Sequence, residues 1–269
     1  MSLTLQEAAE RAGVHYMTVY RWVRTGRLPA TKAEGTWAVR LEDLDALAAK
    51  PADAPQGRAR RADHAGRLAK RLMAGDDAGA LAVAESALTG GMALDHLNVV
   101  TLPEAMTEVG RAWAAGEIGV DVEHRATATT YRLLGRLAPR FARKGRRRGS
   151  IVLGAAPGEA HGLPVAMLAD PLRDRGYDVV DLGANTPAAA FVAAAGVVAD
   201  LSAVGISTST PAADGVVGSV VAELRNAGVE IPILVGGAGC ESVEAARALG
   251  ADGWTRSGPE ALTLLTGTA

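Results

Sequence analysis

From Ser150 onward the sequence changes its rhythm, and that change constrains the fold more than any other feature. The runs SIVLGAA, DVVDLG, SAVGIST and PILVGGA are short, apolar and rich in β-branched residues, and helical stretches such as PVAMLADPLRDRG and DGVVGSVVAELRNAG separate them. Strands joined through helices pair in parallel, so this alternation predicts βαβ units around a parallel sheet, closed by a short last strand at DGWTRS and a final helix. In open sheets of this kind ligands sit outside the carboxyl ends of the strands.

The preceding segment, 62–145, shows only helical periodicity, in four stretches that fit a four-helix bundle. Pro103 is expected to kink or restart the third. RKGRRRG at 143–149 reads as a solvated basic connector. Residues 51–61, PADAPQGRARR, read as a linker. The chain of 269 residues is 48% hydrophobic, enough for buried cores, and no apolar run reaches the ~18–20 residues of a membrane span. MSLTLQEAAERAG places acidic residues where a signal peptide is apolar, so a cytoplasmic location is expected. A single cysteine, Cys240, excludes an intramolecular disulfide and a multi-cysteine zinc site, and it reads as a small core residue.

Residues 1–50 form a small unit of their own. Thr4 caps a helix over LQEAAERA with Glu7 as its capping-box partner, VHYMTVYRWVRTG makes a second helix after Gly13, and Leu28–Arg40 reads as a hairpin or wing. Residues 1–40 hold six basic and three acidic side chains in a protein whose net charge is −2. Helix, tight turn, helix and wing is a helix-turn-helix pattern. With Leu5, Ala8, Ala9, Val19, Trp22 and Val23 inside, it leaves His15, Tyr16, Thr18, Arg21 and Arg24 to face DNA. Lys32, Trp37 and Arg40 are placed to hold the backbone from the wing. TVYRWVRTGRLPA closely resembles the truncated MerR/excisionase-type DNA-binding domains, which implies a winged helix-turn-helix. The competing reading is a helical protein–protein module.

The loop after the first strand of the sheet reads GAAPGEAHGLP, with Glu159 two residues before His161. A carboxylate beside a metal-ligating imidazole orients the ring and raises its basicity. GEAHGLP resembles the E/D-x-H-x-x-G loop of cobalamin-binding domains, which implies that His161 coordinates cobalt from below with Glu159 as its acidic partner. Pro164 stands where that family has glycine. Ser207 matches the serine of its S-x-L motif, with Ser209 in place of leucine. Gly236 and Gly237 match the paired glycines that make room for the nucleotide tail. The resemblance implies a Rossmann-like (flavodoxin-like) α/β domain over 149–269 that holds the cofactor base-off. A flavodoxin-like receiver domain without cofactor is the alternative, but no acidic cluster follows the first strand.

In the helical segment, Trp113 is followed by nine residues and then Glu123–His124. This W-x(9)-E-H spacing, with its flanking text, resembles the bundle of CarH/LitR-type photoreceptors, repressors that use adenosylcobalamin as chromophore. The resemblance spans the chain in domain order. It implies that Trp113, Glu123 and His124 enclose the adenosyl group, and that operator DNA and a homo-oligomer (dimer or tetramer) are the partners. Some members carry a histidine directly after the tryptophan. Here that residue is Ala114, which leaves His124 as the candidate upper ligand. Methylcobalamin is the other possible form of the cofactor. No catalytic triad or P-loop is present, so a non-enzymatic role is expected. The alternatives are a corrinoid methyl carrier of a methyltransferase system, and a light-independent sensor of cobalamin or of cobalamin plus a bilin. Trp254, His64 and His96 read as ordinary packing or helix residues.

Overall fold

The structure, a computed structural model, describes residues 2–12, 19–20, 23, 28–33, 36–44, 63–142, 145–209 and 214–267. The chain divides into two compact units, Met1–Arg61 and Ala62–Ala269.

In the first unit β1 (Ser2–Thr4) leads directly into α1 (Leu5–Ala12), and β2 (Ala30–Ala33) and β3 (Thr36–Arg40) form an antiparallel pair. The capping box forms as expected: Glu7 N–H donates to Thr4 Oγ1 at 3.3 Å, and Thr4 N–H donates to Glu7 Oε2 at 2.8 Å. Strand β1, which three residues are too few to announce, pairs with β3 and completes a three-stranded sheet of order β1-β3-β2. Leu5, Ala8, Ala9, Val19, Leu28, Val39 and Leu44 are its core. His15, Tyr16, Thr18, Arg21 and Arg24 lie outside the described residues, as do Trp22 and the linker.

The second unit begins with α2 (His64–Ala74) and α3 (Asp77–Thr89), each capped by an aspartate, Asp63 or Asp76, that accepts a backbone N–H at 2.8 Å. The third helical stretch is interrupted as its proline predicts. A turn at Leu94–His96 passes through a π-helical turn, Leu97–Thr101, into α4 (Leu102–Ala114). Pro103 has no N–H for the carbonyl of Val99, and the ladder slips, with Leu102 N–H bonding Leu97 O five residues back. Helix α5 (Val120–Leu137) completes the bundle and tightens into a 3₁₀ turn, Ala138–Phe141, at Pro139.

The sheet follows: β4 (Gly149–Ala155), α6 (Leu163–Asp174), β5 (Tyr177–Asp181), α7 (Ala188–Val197), β6 (Leu201–Ser207), α8 (Asp214–Asn226), β7 (Ile233–Gly236), α9 (Val243–Ala248), β8 (Gly253–Thr255) and α10 (Gly258–Gly267). Its five strands are all parallel, in the order β5-β4-β6-β7-β8. The first strand is thus flanked by the second and third, which is the flavodoxin-like order with its switch point between β4 and β6. Phe191, Val217, Val220 and Ala246 pack on one face, and Val165, Ala169, Leu172, Leu262 and Leu265 on the other.

Bundle and sheet do not form separate compact units. Helix α6 supplies Val165, Ala169 and Leu172 to the sheet core while Leu163 and Met167 belong to the bundle core. Two apolar faces of one helix therefore join the halves, and the loop before α6 lies at their junction. Among the described residues no helix is long and apolar enough to cross a membrane.

Candidate functional site

The loop 156–162 leaves the end of β4 at the switch point and carries Glu159 and His161. Glu159 is 3% exposed. Its Oε1 accepts the His161 backbone N–H at 3.0 Å and faces His161 Nδ1 at 2.5 Å, and its Oε2 accepts the N–H of Ser209, beyond β6, at 2.5 Å. Burial alone would raise the carboxyl pKa. The two backbone N–H donors and the imidazole outweigh burial and hold it below the ordinary glutamate value. An ionised carboxylate at Nδ1 places the proton there and leaves the Nε2 lone pair free. The imidazole is 66% exposed while its carboxylate is buried, so the ring is fixed at its root and open at its tip.

Asn185 secures the loop from the other side. Its Oδ1 accepts from Gly158 N–H and its N–H donates to Glu159 O, both at 2.7 Å, with Asn185 at φ +49°. Asparagine tolerates this left-handed conformation better than most residues. Asn185 and Ser209 were not among the expected site residues.

Facing the loop, α4 ends in Trp113 and α5 begins with Val120, Glu123 and His124. Trp113, Val120 and Tyr131 are 51%, 52% and 44% exposed, half of the six exposed large hydrophobic residues among the described ones, and all three line one cavity. Thr127 Oγ1 donates to Glu123 Oε1 at 2.9 Å, and His124 Nε2 stands 3.7 Å from Glu123 Oε2. The cavity measures about 1450 Å³, above the ~300–1,000 Å³ typical of sites for drug-sized ligands. It brings together Trp113, Glu123, His124, His161, Ser207, Gly236 and Gly237, and Ala114 lies on its wall. Glu159 stays behind His161 as its support. Gly237 has φ +107°, and a Cβ there would collide with the Thr208 carbonyl, so only glycine lets the chain turn here.

Thr127 and Tyr131 also line the cavity and were not foreseen, although the spacing Glu123–Thr127–Tyr131 sets them on one helical face. Trp254 donates Nε1–H to Cys240 O at 2.7 Å and packs in the sheet core, and Cys240 is buried. In the first unit, Lys32 lies 5.9 Å from the Trp37 ring, and Arg40 pairs with Glu42 at 3.0 Å and Asp43 at 3.6 Å. Exposed pairs of this kind are worth little and exchange readily.

Among the described residues no three His, Cys, Asp or Glu side chains gather into a site for a free metal ion. One oriented imidazole at the edge of a large apolar cavity suits a metal that arrives already chelated, needing a single axial donor. Residues 65–138 and 149–265 each match a family described as a B12 binding domain, and residues 2–51 match a helix-turn-helix domain. A corrinoid protein of Desulfitobacterium hafniense (strain Y51) is 33% identical over 180 residues, covering 64% of this chain and 82% of the relative. The chain belongs to the corrinoid protein family. Its fold agrees with that of the Methanosarcina barkeri monomethylamine corrinoid protein, at a TM-score of 0.61 and 18% identity over 75% of this chain and 96% of that one. Cobalamin is the cofactor of this corrinoid protein. The cavity between α4, α5 and the strand ends fits it in volume, apolar lining and donor set.

Proposed function

We propose that this corrinoid protein is a transcriptional regulator that binds operator DNA through its N-terminal unit and is switched by light through adenosylcobalamin. The observation that carries this reading is the helix-turn-helix segment, 2–51, on the same chain as a corrinoid cavity whose bundle side presents Trp113, Glu123 and His124. A methyl carrier has no use for the former. When bound, adenosylcobalamin supplies a cobalt–carbon bond that visible light cleaves.

His161, held in register by Glu159, would supply the imidazole nitrogen that binds the cobalt. Trp113 covers the upper group with its flat face, and Glu123, braced by Thr127, offers it a polar contact. Ser207, Gly236 and Gly237 make room for the nucleotide tail. While the cavity is filled, α4 and α5 are held against the strand ends, and the surface so ordered assembles the chain into a dimer or tetramer. Several weak DNA-binding units then act together, and avidity raises affinity by ~10²–10⁴-fold without new contacts. Trp113 and the helix ends around it would be freed once nothing is left for the ring to cover; the assembly would then loosen and the operator be released. With Ala114 beside the tryptophan, His124 would be the imidazole that the bundle side offers to the cobalt.

Gel filtration and operator affinity, measured with the adenosylcobalamin-loaded protein in the dark and after green light, test the proposal. A larger species and tighter binding in the dark are expected, and equal size with equal affinity overturns it. A second reading, a corrinoid carrier serving a methyltransferase, draws on the likeness to the monomethylamine corrinoid protein. It predicts function with methylcobalamin, in darkness and without residues 2–51.

A further inference from the structure

Helix α5 does more than close one side of the cavity. Glu123, Thr127 and Tyr131 follow one another at intervals of one turn, and all three line the cavity. Tyr131 reaches past it to the loop that carries His161. A Cβ built on Gly162 would stand 2.7 Å from the Tyr131 hydroxyl, 3.3 Å from the Ala184 amide nitrogen and 3.4 Å from the Ala184 Cβ. Gly162 has φ −83° and ψ −19°, a conformation open to any residue. What crowds this position most is therefore the hydroxyl of a tyrosine from the bundle, with the Ala184 backbone nitrogen next. Burial, and then the Asp181 carboxylate, push the phenol pKa above its ordinary value, so Tyr131 meets the loop as a neutral hydroxyl.

We infer that Tyr131 is a positioning residue that props the residue after His161, so that the helix carrying Glu123 and His124 also sets where the imidazole stands on the opposite side of the cofactor. The inference rests on His161 as the lower ligand. Gly162 is bonded directly to His161, and a ligand displaced by more than ~0.5 Å loses its productive geometry. A tyrosine, with only two side-chain torsions, makes a stiff prop. Movement of α5 is thereby passed to the residue after His161 through Tyr131, beside the core that α5 shares with Leu163 and Met167 of α6.

Cobinamide lacks the lower nucleotide, so any axial nitrogen on its cobalt must come from the protein. The full chain is loaded with cob(II)inamide, and nitrogen splitting of the cobalt hyperfine lines is read by electron paramagnetic resonance alongside the dissociation constant. All chains carry His124→Ala, which removes the other imidazole lining the cavity; in that background the chain with His161 is expected to show the splitting and His161→Ala to lose it, and a splitting that survives in His161→Ala removes the ligand assignment and the inference with it. Gly162→Ala is expected to weaken the splitting and to bind cobinamide about tenfold more weakly, and Tyr131→Phe in the same chain to restore both to within about twofold, the coupling expected of residues in contact. Wild-type behaviour of Gly162→Ala, or a double variant no better than it, overturns the inference. If Gly162→Ala fails to fold, Tyr131→Ala decides: a lost splitting in a folded chain supports the prop and an unchanged one overturns it. DNA binding that ignores light would sink the proposed switch and leave this result untouched.

Discussion

The backbone N–H of Ser209 donates to Glu159 Oε2 at 2.5 Å, so one buried carboxylate joins the loops that leave β4 and β6 on either side of the switch point. Its other oxygen holds His161. The sheet thus fixes its exposed imidazole through an acid that the cofactor need not touch.

Replacing Glu159 with alanine should weaken cobalamin binding ~10–100-fold, the usual effect of removing the partner that orients a metal-bound histidine. It also leaves backbone N–H groups of His161 and Ser209 without their acceptor, at about 1–3 kcal/mol for each one buried. Absorbance titration and urea unfolding of the cofactor-free chain measure the two effects separately. Glu159→Gln keeps an acceptor oxygen and should spare more of the stability than of the affinity.

At Gly237 the φ of +107° and the facing Thr208 carbonyl leave no place for a Cβ. Gly237→Ala should destabilise the chain by ~1–3 kcal/mol through backbone strain alone and reduce cobalamin affinity, since the strained turn lines the cavity. A thermal melt of the cofactor-free protein checks the first effect and an absorbance titration the second.

Trp113 is a large apolar side chain held half exposed at the cavity wall, the position of a residue waiting for something to cover. Full burial of such a side chain is worth ~1.5–3 kcal/mol, so Trp113→Ala should bind adenosylcobalamin about 10–100-fold more weakly. Affinity for hydroxocobalamin, whose upper group is small, should change far less. A similar loss with both forms would place the ring away from the upper group.

Asp181 titrates in the opposite sense to Glu159. Burial raises its carboxyl pKa above the ordinary 3.8, and the nearby Asp170 adds to the rise, against lowering by the Gly183 N–H and Arg173. The folded state therefore holds this proton more tightly than the unfolded chain does. The group's contribution is most favourable at low pH and is lost as pH climbs from the unfolded pKa through the folded one. Asp181→Asn should accordingly raise the melting temperature near neutral pH, and the gain should vanish at about pH 3, below the unfolded value.

The sheet, its crossover helices and the pairing of Glu159 with His161 could be read from the residues because each leaves a local trace: a short apolar β-branched run, a helical period, or two side chains two positions apart. Pro103 announced a break in its helix, though not that the break would be a π-helical turn, which depends on the carbonyl the proline leaves unpaired. Strand β1 exists only through its pairing with β3. The sharing of α6 between two cores depends on which apolar residue faces which neighbour, so the division of 62–269 into bundle and sheet hid a single compact unit. Asn185, Ser209 and Tyr131 act on the His161 loop from 24, 48 and 30 positions away in sequence. Long-range contacts of that kind leave no periodicity behind; the Glu123–Thr127–Tyr131 spacing hinted at Tyr131, and the S-x-L resemblance marked the position of Ser209 without its bond to Glu159.

The most direct test of the whole account is an absorbance titration of cobalamin with wild type and with His161→Ala. The account predicts that wild type binds one equivalent with a shift of the visible bands, as imidazole takes the lower axial position, and that His161→Ala gives a much smaller shift and weaker uptake. Identical uptake and identical spectra in the two proteins would contradict it.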